Sequence, residues 1–136
     1  MEHNIVLVKK GEIDMAFPVA QPFLERALDY NANYDIAMVL NDVHMGFSNL
    51  FIVYGTEPVG AFVTRTHTGG TQKQLIVHLL GGDNFKEWAG LFKEKIRDYR
   101  KKIGLDCVVL VGRPGWKSMI PELRHTKTLY YFEDAL

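Results

Sequence analysis

The sequence predicts one α/β (α+β) domain over residues 1–136, built around an antiparallel meander of strands. Three observations indicate this fold class. In the middle third, short apolar runs are separated by tight turns, which join antiparallel strands and cannot join parallel ones. A long stretch with apolar residues at every third or fourth position follows, and this spacing predicts an amphipathic helix. Behind it comes the near-continuous apolar run Asp106–Val111, which is typical of a strand covered on both faces.

The composition is that of a folded globular protein, and it argues against several classes of function. Hydrophobic residues make up 47% of the chain and charged residues 24%. With 16 basic and 16 acidic side chains the net charge is zero, so neither nucleic acid nor an anionic membrane is expected as a partner. No apolar stretch reaches the roughly 18 residues of a membrane span, and the first residues lack the basic and apolar regions of a signal peptide. We therefore expect a cytoplasmic protein.

Cysteine and histidine usage predicts no metal site. Cys107 is the only cysteine and lies within an apolar run, so we expect a buried thiol that forms neither an intramolecular disulfide nor a Cys-based zinc site. The histidines do not have the spacing of metal ligands; they are His3, His44, His67, His78 and His125.

The first third of the chain predicts a strand and two helices. Ile5–Val8 is rich in β-branched residues and reads as the strand. Pro18 and Pro22 predict a broken or late first helix that begins at Pro22, because proline lacks the N–H needed in a helix interior. A second helix follows, with Asn33 as its N-cap and Gly46 as its C′ residue; its apolar face consists of Ile36, Val39, Leu40 and Val43.

The meander consists of strands Leu50–Tyr54, Val59–Thr66 and Gln72–Leu80. Strict alternation in the third strand predicts that Leu75, Val77 and Leu79 share one face. The opposite face then carries Gln74, Ile76, His78 and Leu80. The sequence Gly81-Gly82-Asp83-Asn84 is predicted to end the sheet as a turn.

The last part of the chain opens with the longest helix, predicted over Phe85–Ile103 with Gly104 at its C′ position. After the buried strand Asp106–Val111 we expect a turn over residues 112–115. An irregular short helix is predicted over Trp116–Leu123, and a final strand over Thr126–Phe132.

This order of elements resembles that of the GNAT acetyltransferase superfamily over essentially the whole chain. The resemblance implies a mixed, mostly antiparallel, twisted sheet with helices on both faces. It also implies that Gln72–Leu80 and Asp106–Val111 run parallel and splay apart, and that the pantetheine arm of acetyl-CoA lies between them.

The resemblance further implies that the pyrophosphate of acetyl-CoA binds the turn before the long helix, where free N–H groups and the helix dipole favour an anion. The cofactor-binding candidates are Leu79, Leu80, Gly81, Gly82, Asn84 and Phe85, together with Arg113 of the later turn. Gly82 fits the family signature at this turn, whereas Leu79 and Asn84 replace its Gln or Arg and its final Gly or Ala. Asp83 adds a negative charge nearby. The alternative is a simple strand-to-helix turn with Asp83 or Asn84 as N-cap.

The C-terminal part resembles a narrower group, the divergent GNAT-like proteins of tailed bacteriophages, some of which are associated with the virion. The resemblance rests on Val111–Trp116, Leu123 and Tyr130-Tyr131-Phe132. It implies a phage-encoded protein, located in the host cytoplasm or the virion, with a virion or host protein as partner.

Acetyl transfer to an amine needs a base for the amine and an acid for the leaving thiolate. His78, beside the expected splay, is the candidate base; the alternative is a hydrogen-bonded strand histidine. Tyr130 and Tyr131 are the candidate acids, and the alternative is a packing role. Two functions remain open at this point: an acyl-CoA-dependent N-acyltransferase acting on an amine acceptor, and a non-catalytic phage protein that keeps the fold for assembly or host interaction.

Overall fold

The structure is a computed structural model that describes residues 2–28, 34–111, 124–126 and 129–133. In chain order its elements are β1 (Asn4–Leu7), a 3₁₀ turn (Lys10–Glu12), α1 (Ile13–Leu28), α2 (Ile36–His44), β2 (Asn49–Tyr54), β3 (Pro58–His67), β4 (Gln74–Gly82), α3 (Phe85–Lys102), β5 (Cys107–Val111), β6 (Arg124–Thr126) and β7 (Leu129–Glu133).

The described strands form one mixed sheet in the order β1-β2-β3-β4-β5-β7-β6. Every neighbouring pair is antiparallel except β4 and β5, which run parallel because the α3 crossover joins them. The predicted meander and the predicted parallel pair are both confirmed, and with them the fold class.

One face of the sheet packs against α3. The helix buries Phe85, Trp88, Phe92 and Ile96, which form one stripe because they recur at every third or fourth position. Their partners on the sheet include Phe51, Phe62, Leu75, Val77, Val108 and Leu110. This face therefore holds a core rich in aromatic rings, and its burial fixes α3 across the parallel pair.

The opposite face packs against α1 and α2. Ile13, Phe17, Ala20 and Leu24 of α1 and Val39 and Val43 of α2 cover the sheet residues Leu50, Ile52, Ala61, Val63 and Leu79. Helices thus lie on both faces of the sheet, as expected.

The prediction that prolines delay the first helix is wrong, because α1 runs unbroken from Ile13 to Leu28 with both prolines inside it. Pro18 and Pro22 cannot donate to the carbonyl groups of residues 14 and 18, respectively. Both prolines are exposed, so water can reach the carbonyls that lose a helical partner. The buried face of α1 carries no proline and offsets the cost.

Helix ends confirm one prediction and correct another. Gly46 and Gly104 have φ angles of 80° and 76°, the left-handed conformation that favours glycine just beyond a helix. The N-cap of α2 is Asp35 and not Asn33, since the Asp35 side chain accepts a hydrogen bond from the Met38 N–H at 2.9 Å.

Strand β4 departs from the predicted pattern in two ways. It continues through Gly81 and Gly82, which pair with Ala61 and Gly60 of β3, so these glycines belong to the sheet and not to a turn. In addition, Val63 pairs with Leu79 while Thr64 pairs with Val77, which makes His78 the extra residue of a β-bulge. The bulge reverses the alternation beyond it.

The predicted faces of β4 are therefore wrong beyond Val77. Leu75 and Val77 do share the α3 face, but Leu79 packs on the α1/α2 face. Leu80, which the alternation assigned to the other face, packs with α3.

The C-terminal end also differs from the prediction. Instead of one strand over Thr126–Phe132, the structure has the antiparallel pair β6 and β7. β7 pairs with β5, so the buried strand β5 lies between β4 and β7. The predicted turn over residues 112–115 and the predicted helix Trp116–Leu123 lie outside the described residues.

Candidate functional site

The parallel pairing between β4 and β5 ends before β4 does. The paired residues run from Gln74 with Cys107 to Val77 with Leu110. At the next residue of β4, His78, the bulge begins, and the strand then continues to Gly82 paired with β3. The edge of β4 that faces β5 therefore leaves the ladder at the bulge, and the segment beyond it leads into the start of α3.

The connection from β4 to α3 is a tight turn with one left-handed residue. Asn84 has φ 54° and ψ 44° and stands at the N-cap position of α3, but its side chain makes no capping bond. The Asp83 N–H donates to the Val59 carbonyl at 2.7 Å, and the Trp88 indole Nε1 donates to the Asp83 carbonyl at 2.9 Å. These bonds fix the backbone of the turn against β3 and against the first turn of α3.

The glycines of this region have a packing reason that sequence reasoning missed. A Cβ atom at Gly81 would lie 2.1 Å from the Phe23 carbonyl oxygen of α1. At Gly82 it would lie 2.7 Å from the Val59 carbonyl oxygen and 2.8 Å from Cζ2 of Trp88. Only glycine permits α1 on one face and the Trp88 ring on the other to approach β4 so closely.

An ion pair joins this turn to α1. Arg26 Nη1 lies 2.9 Å from Asp83 Oδ1, and the guanidinium also lies 5.1 Å from the centroid of the Phe23 ring. Arg26 thus places a cation next to the acidic residue of the turn. No local signal in the sequence could have indicated this contact, because the two residues are 57 positions apart.

His78 is the most unusual polar residue of the sheet. It is 5% exposed, and no group in the described part of the chain donates to or accepts from either ring nitrogen. Its ring lies 5.5 Å from that of Tyr34, on the face covered by α1 and α2. Burial, together with the positive charge of Arg65, lowers the pKa of His78 to about 4. The imidazole is therefore neutral at pH 7, and one of its ring nitrogens is a hydrogen-bond acceptor.

Two further polar side chains complete the surroundings of His78. The Tyr34 hydroxyl donates a hydrogen bond to Asp42 Oδ2 of α2. Burial and the Asp42 carboxylate raise the pKa of Tyr34 well above its usual range, so this hydroxyl keeps its proton. Arg65 lies on β3 in register with Ile76, two residues before His78 on β4. We call Tyr34, Asp42, Arg65 and His78 the bulge cluster.

Of the bulge cluster, the sequence by itself indicates only His78 as a candidate. The other members come from α2, from the residues before it and from β3, so no spacing along the chain indicates that they meet.

The other site residues predicted from the sequence lie outside the bulge cluster. Leu79, Leu80 and Phe85 have buried side chains that belong to the two cores, so only their backbone groups remain for a ligand. In β7, Tyr130 pairs with Leu110 and Tyr131 with Val109. Arg113 lies outside the described residues.

Among the described residues, no group of three or more histidine, cysteine, aspartate or glutamate side chains is placed to hold a metal ion. None of the helices described is long and apolar enough to cross a bilayer.

Solved structures that share this architecture include acetyltransferases. An N-acetyltransferase from Staphylococcus aureus Mu50 matches with a TM-score of 0.70 at 9% identity, covering 100% of both chains. An acetyltransferase of the GNAT family from the same organism matches with a TM-score of 0.66 at 10% identity, covering 97% of this chain and 99% of that one. A mutant of the toxin AtaT, bound to the C-terminus of the antitoxin AtaR and to acetyl-CoA, matches with a TM-score of 0.62 at 7% identity, covering 99% and 95%.

The chain therefore has the GNAT acetyltransferase fold. No protein-family model and no curated protein sequence matches it. At these identities the likeness to solved structures concerns the fold alone. The resemblance of the C-terminal stretch to bacteriophage proteins stays a prediction.

Proposed function

We propose that this protein is an acyl-CoA-dependent N-acyltransferase that transfers an acetyl group from acetyl-CoA to an amine acceptor. The observation that carries the proposal is the end of the β4–β5 ladder at the His78 bulge. Beyond it, the β4 backbone leads from a buried neutral imidazole to the N-terminus of α3. This is where a molecule with an acyl thioester at one end and a pyrophosphate at the other could lie along one strand.

The residues on this path fit acetyl-CoA in charge and shape. The β4 backbone beyond Val77 would pair with the amide groups of pantetheine, as the edge of a strand does. The N-terminus of α3, with Gly82 and Asn84 before it, would receive the pyrophosphate. Asp83 disfavours an anion there, but Arg26 is in contact with Asp83 and supplies a compensating positive charge.

The chemistry needs one proton to leave the acceptor before attack. An ammonium group of the acceptor would lose this proton to solvent, and the neutral amine would then donate a hydrogen bond to His78, which orients the amine for attack. The amine nitrogen then forms a bond with the thioester carbonyl carbon, and the carbon–sulfur bond breaks. The second proton of the nitrogen passes to the leaving thiolate, so the products are an amide and the free thiol of CoA. Tyr130 and Tyr131 remain the candidate acids, and Arg113 a candidate contact for phosphate.

Isothermal calorimetry with acetyl-CoA tests the binding step. A ligand at a hundredfold excess over its Kd should stabilise the fold by about 2.7 kcal/mol, which a thermal unfolding scan would detect. His78→Gln should keep this binding and lose acetyl transfer, followed as release of the CoA thiol with an amine acceptor. Absence of binding at millimolar acetyl-CoA would contradict the proposal.

A second function, one without catalysis, is compatible with the packing role of the two glycines at the end of β4. Because Gly81 and Gly82 are required by Phe23 and Trp88, they do not by themselves indicate phosphate binding. The alternative is a relative without catalytic activity, encoded by a phage and acting in the virion or on a host protein. Recovery of the protein in purified virions, together with no binding of acetyl-CoA, would support it.

A further inference from the structure

The bulge cluster brings both signs of charge to one buried base. Asp42 accepts the Tyr34 hydroxyl bond, and the Tyr34 ring contacts the His78 ring at 5.5 Å between centroids. A carboxylate has about four acceptor positions, of which this bond uses one, so Asp42 can accept further hydrogen bonds. Tyr34 therefore contacts a carboxylate through its hydroxyl and a neutral imidazole through its ring.

Arg65 contributes the opposite charge. Val63 packs on the α1/α2 face, and strand alternation places Arg65 on that same face, next to the residues that flank the bulge. The guanidinium is close enough to influence the titration of both His78 and Tyr34. Arg65 is exposed, so its guanidinium can contact a ligand that arrives from solvent.

This pairing of charges selects among amine acceptors. An ammonium group is attracted by Asp42 and can donate to a ring nitrogen of His78, both of which are acceptors. A second cation on the acceptor would meet Arg65 and be repelled. An acceptor carboxylate would instead form the planar two-bond pair that guanidinium groups favour.

We propose that the acceptor of this N-acyltransferase is an amino acid, with its amine held by Asp42 and His78 and its carboxylate held by Arg65. The inference rests on the proposed function, because it concerns the acceptor side of the same site. It adds the chemical class of the acceptor and assigns Arg65 as the residue that determines specificity.

The test compares acceptors that differ only in the carboxylate. Release of CoA thiol from acetyl-CoA is measured with each L-amino acid and β-alanine, with the carboxamide of each, and with spermidine as a polycation. The quantity of interest is kcat/KM for an acid divided by that for its amide. We expect the wild type to prefer the acid at least tenfold for its best acceptor.

Variants separate charge recognition from intrinsic reactivity of the amine. Arg65→Gln should reduce the acid-to-amide ratio at least tenfold, because KM should rise strongly for the acid and much less for the amide. Arg65→Lys should restore part of the preference, because it keeps the charge but not the planar fork. Lys95→Gln, which removes an exposed cation from α3, is the matched control and should leave the ratio unaltered.

Binding of acetyl-CoA keeps the two proposals apart. If neither wild type nor Arg65→Gln binds acetyl-CoA in calorimetry, the proposed function itself fails. If both bind it equally but the wild type prefers amides or spermidine, or transfers to none of these acceptors, the amino-acid inference is overturned and the acyl-CoA site stands. Equal losses for acid and amide in Arg65→Gln would likewise overturn the role of Arg65.

Discussion

The two faces of the sheet bury different kinds of side chain. Against α3, aromatic rings contact one another directly, with Phe51 stacked on Phe62 at 4.7 Å and Phe92 edge-on to Phe62 at 5.0 Å. Against α1 and α2, the core is mainly aliphatic, and at the bulge it contains His78, a buried ring with no hydrogen bond among the described residues. A buried polar group without a partner costs free energy of folding. We infer that the α3 face stabilises the fold, while the other face retains a polar group suited to a ligand.

The largest expected effect tests the stabilising role of the α3 face. Phe92→Ala removes a fully buried ring that contacts Phe62, Phe85 and Trp88, and should lower the free energy of unfolding by about 4 kcal/mol. Urea denaturation followed by circular dichroism measures it.

Met15→Ala is the control for that substitution, since Met15 is exposed on α1 and should change stability by less than about 0.5 kcal/mol. A similar small loss for Phe92→Ala would show that this face is not where the stability lies.

The second prediction concerns the strand on which both faces depend. Gly81→Ala places a methyl group against the backbone carbonyl of Phe23, which cannot yield without moving α1, so we expect a loss of about 3 kcal/mol. Gly90→Ala is the matched control, because a Cβ atom there meets nothing within 4 Å and alanine favours a helix. It should stabilise by about 0.5–1 kcal/mol. A neutral Gly81→Ala would mean that α1 and β4 are not in such close contact.

The third prediction uses the pH dependence of stability to test whether His78 is buried in its neutral form. The pKa of His78 is about 4 in the folded state, against 6.5 for a free histidine, so between these values the unfolded chain binds more protons. Stability should therefore fall as pH decreases through this window, by about 2 kcal/mol between pH 7 and 5.

His78→Leu isolates this contribution, because it removes the titrating ring while keeping an apolar side chain of similar size. Denaturation curves of both proteins at several pH values should differ by that amount at pH 5 relative to pH 7. Parallel pH profiles of the two proteins would show that His78 is not buried in its neutral form.

Much of the fold could be predicted because its signals are local. The stripe on α3, the glycines after α2 and α3, and the tight turns of the meander depend on neighbouring residues only. The face on which Leu79 lies could not be predicted, because strict strand alternation fails at a β-bulge. The bulge at His78 is defined only by the pairing of β4 with β3.

The candidate site was predictable only in part for a related reason. His78 stood out as a polar residue in an apolar strand, and the turn before α3 stood out by its glycines. The contacts of those residues are made by distant segments. Asp42 lies on α2 and Tyr34 just before its N-cap, and Arg26 comes from α1. The roles of such residues follow from packing, which no spacing along the chain encodes.

The smallest expected effect concerns the turn that connects the two faces at the start of α3. Asp83→Asn removes a negative charge beside the proposed pyrophosphate position and releases Arg26 from its ion pair. Because both residues are more than half exposed, the loss of stability should stay below about 1 kcal/mol. The affinity for acetyl-CoA should rise by about threefold at low ionic strength, and less at high salt, since exposed charges are screened.

Calorimetry with wild type, Asp83→Asn and the control Asp98→Asn, an exposed carboxylate on α3, would measure this change. Weaker binding by Asp83→Asn alone would show the opposite role for the ion pair. In that case the Arg26–Asp83 ion pair would keep the turn in the conformation that binds acetyl-CoA.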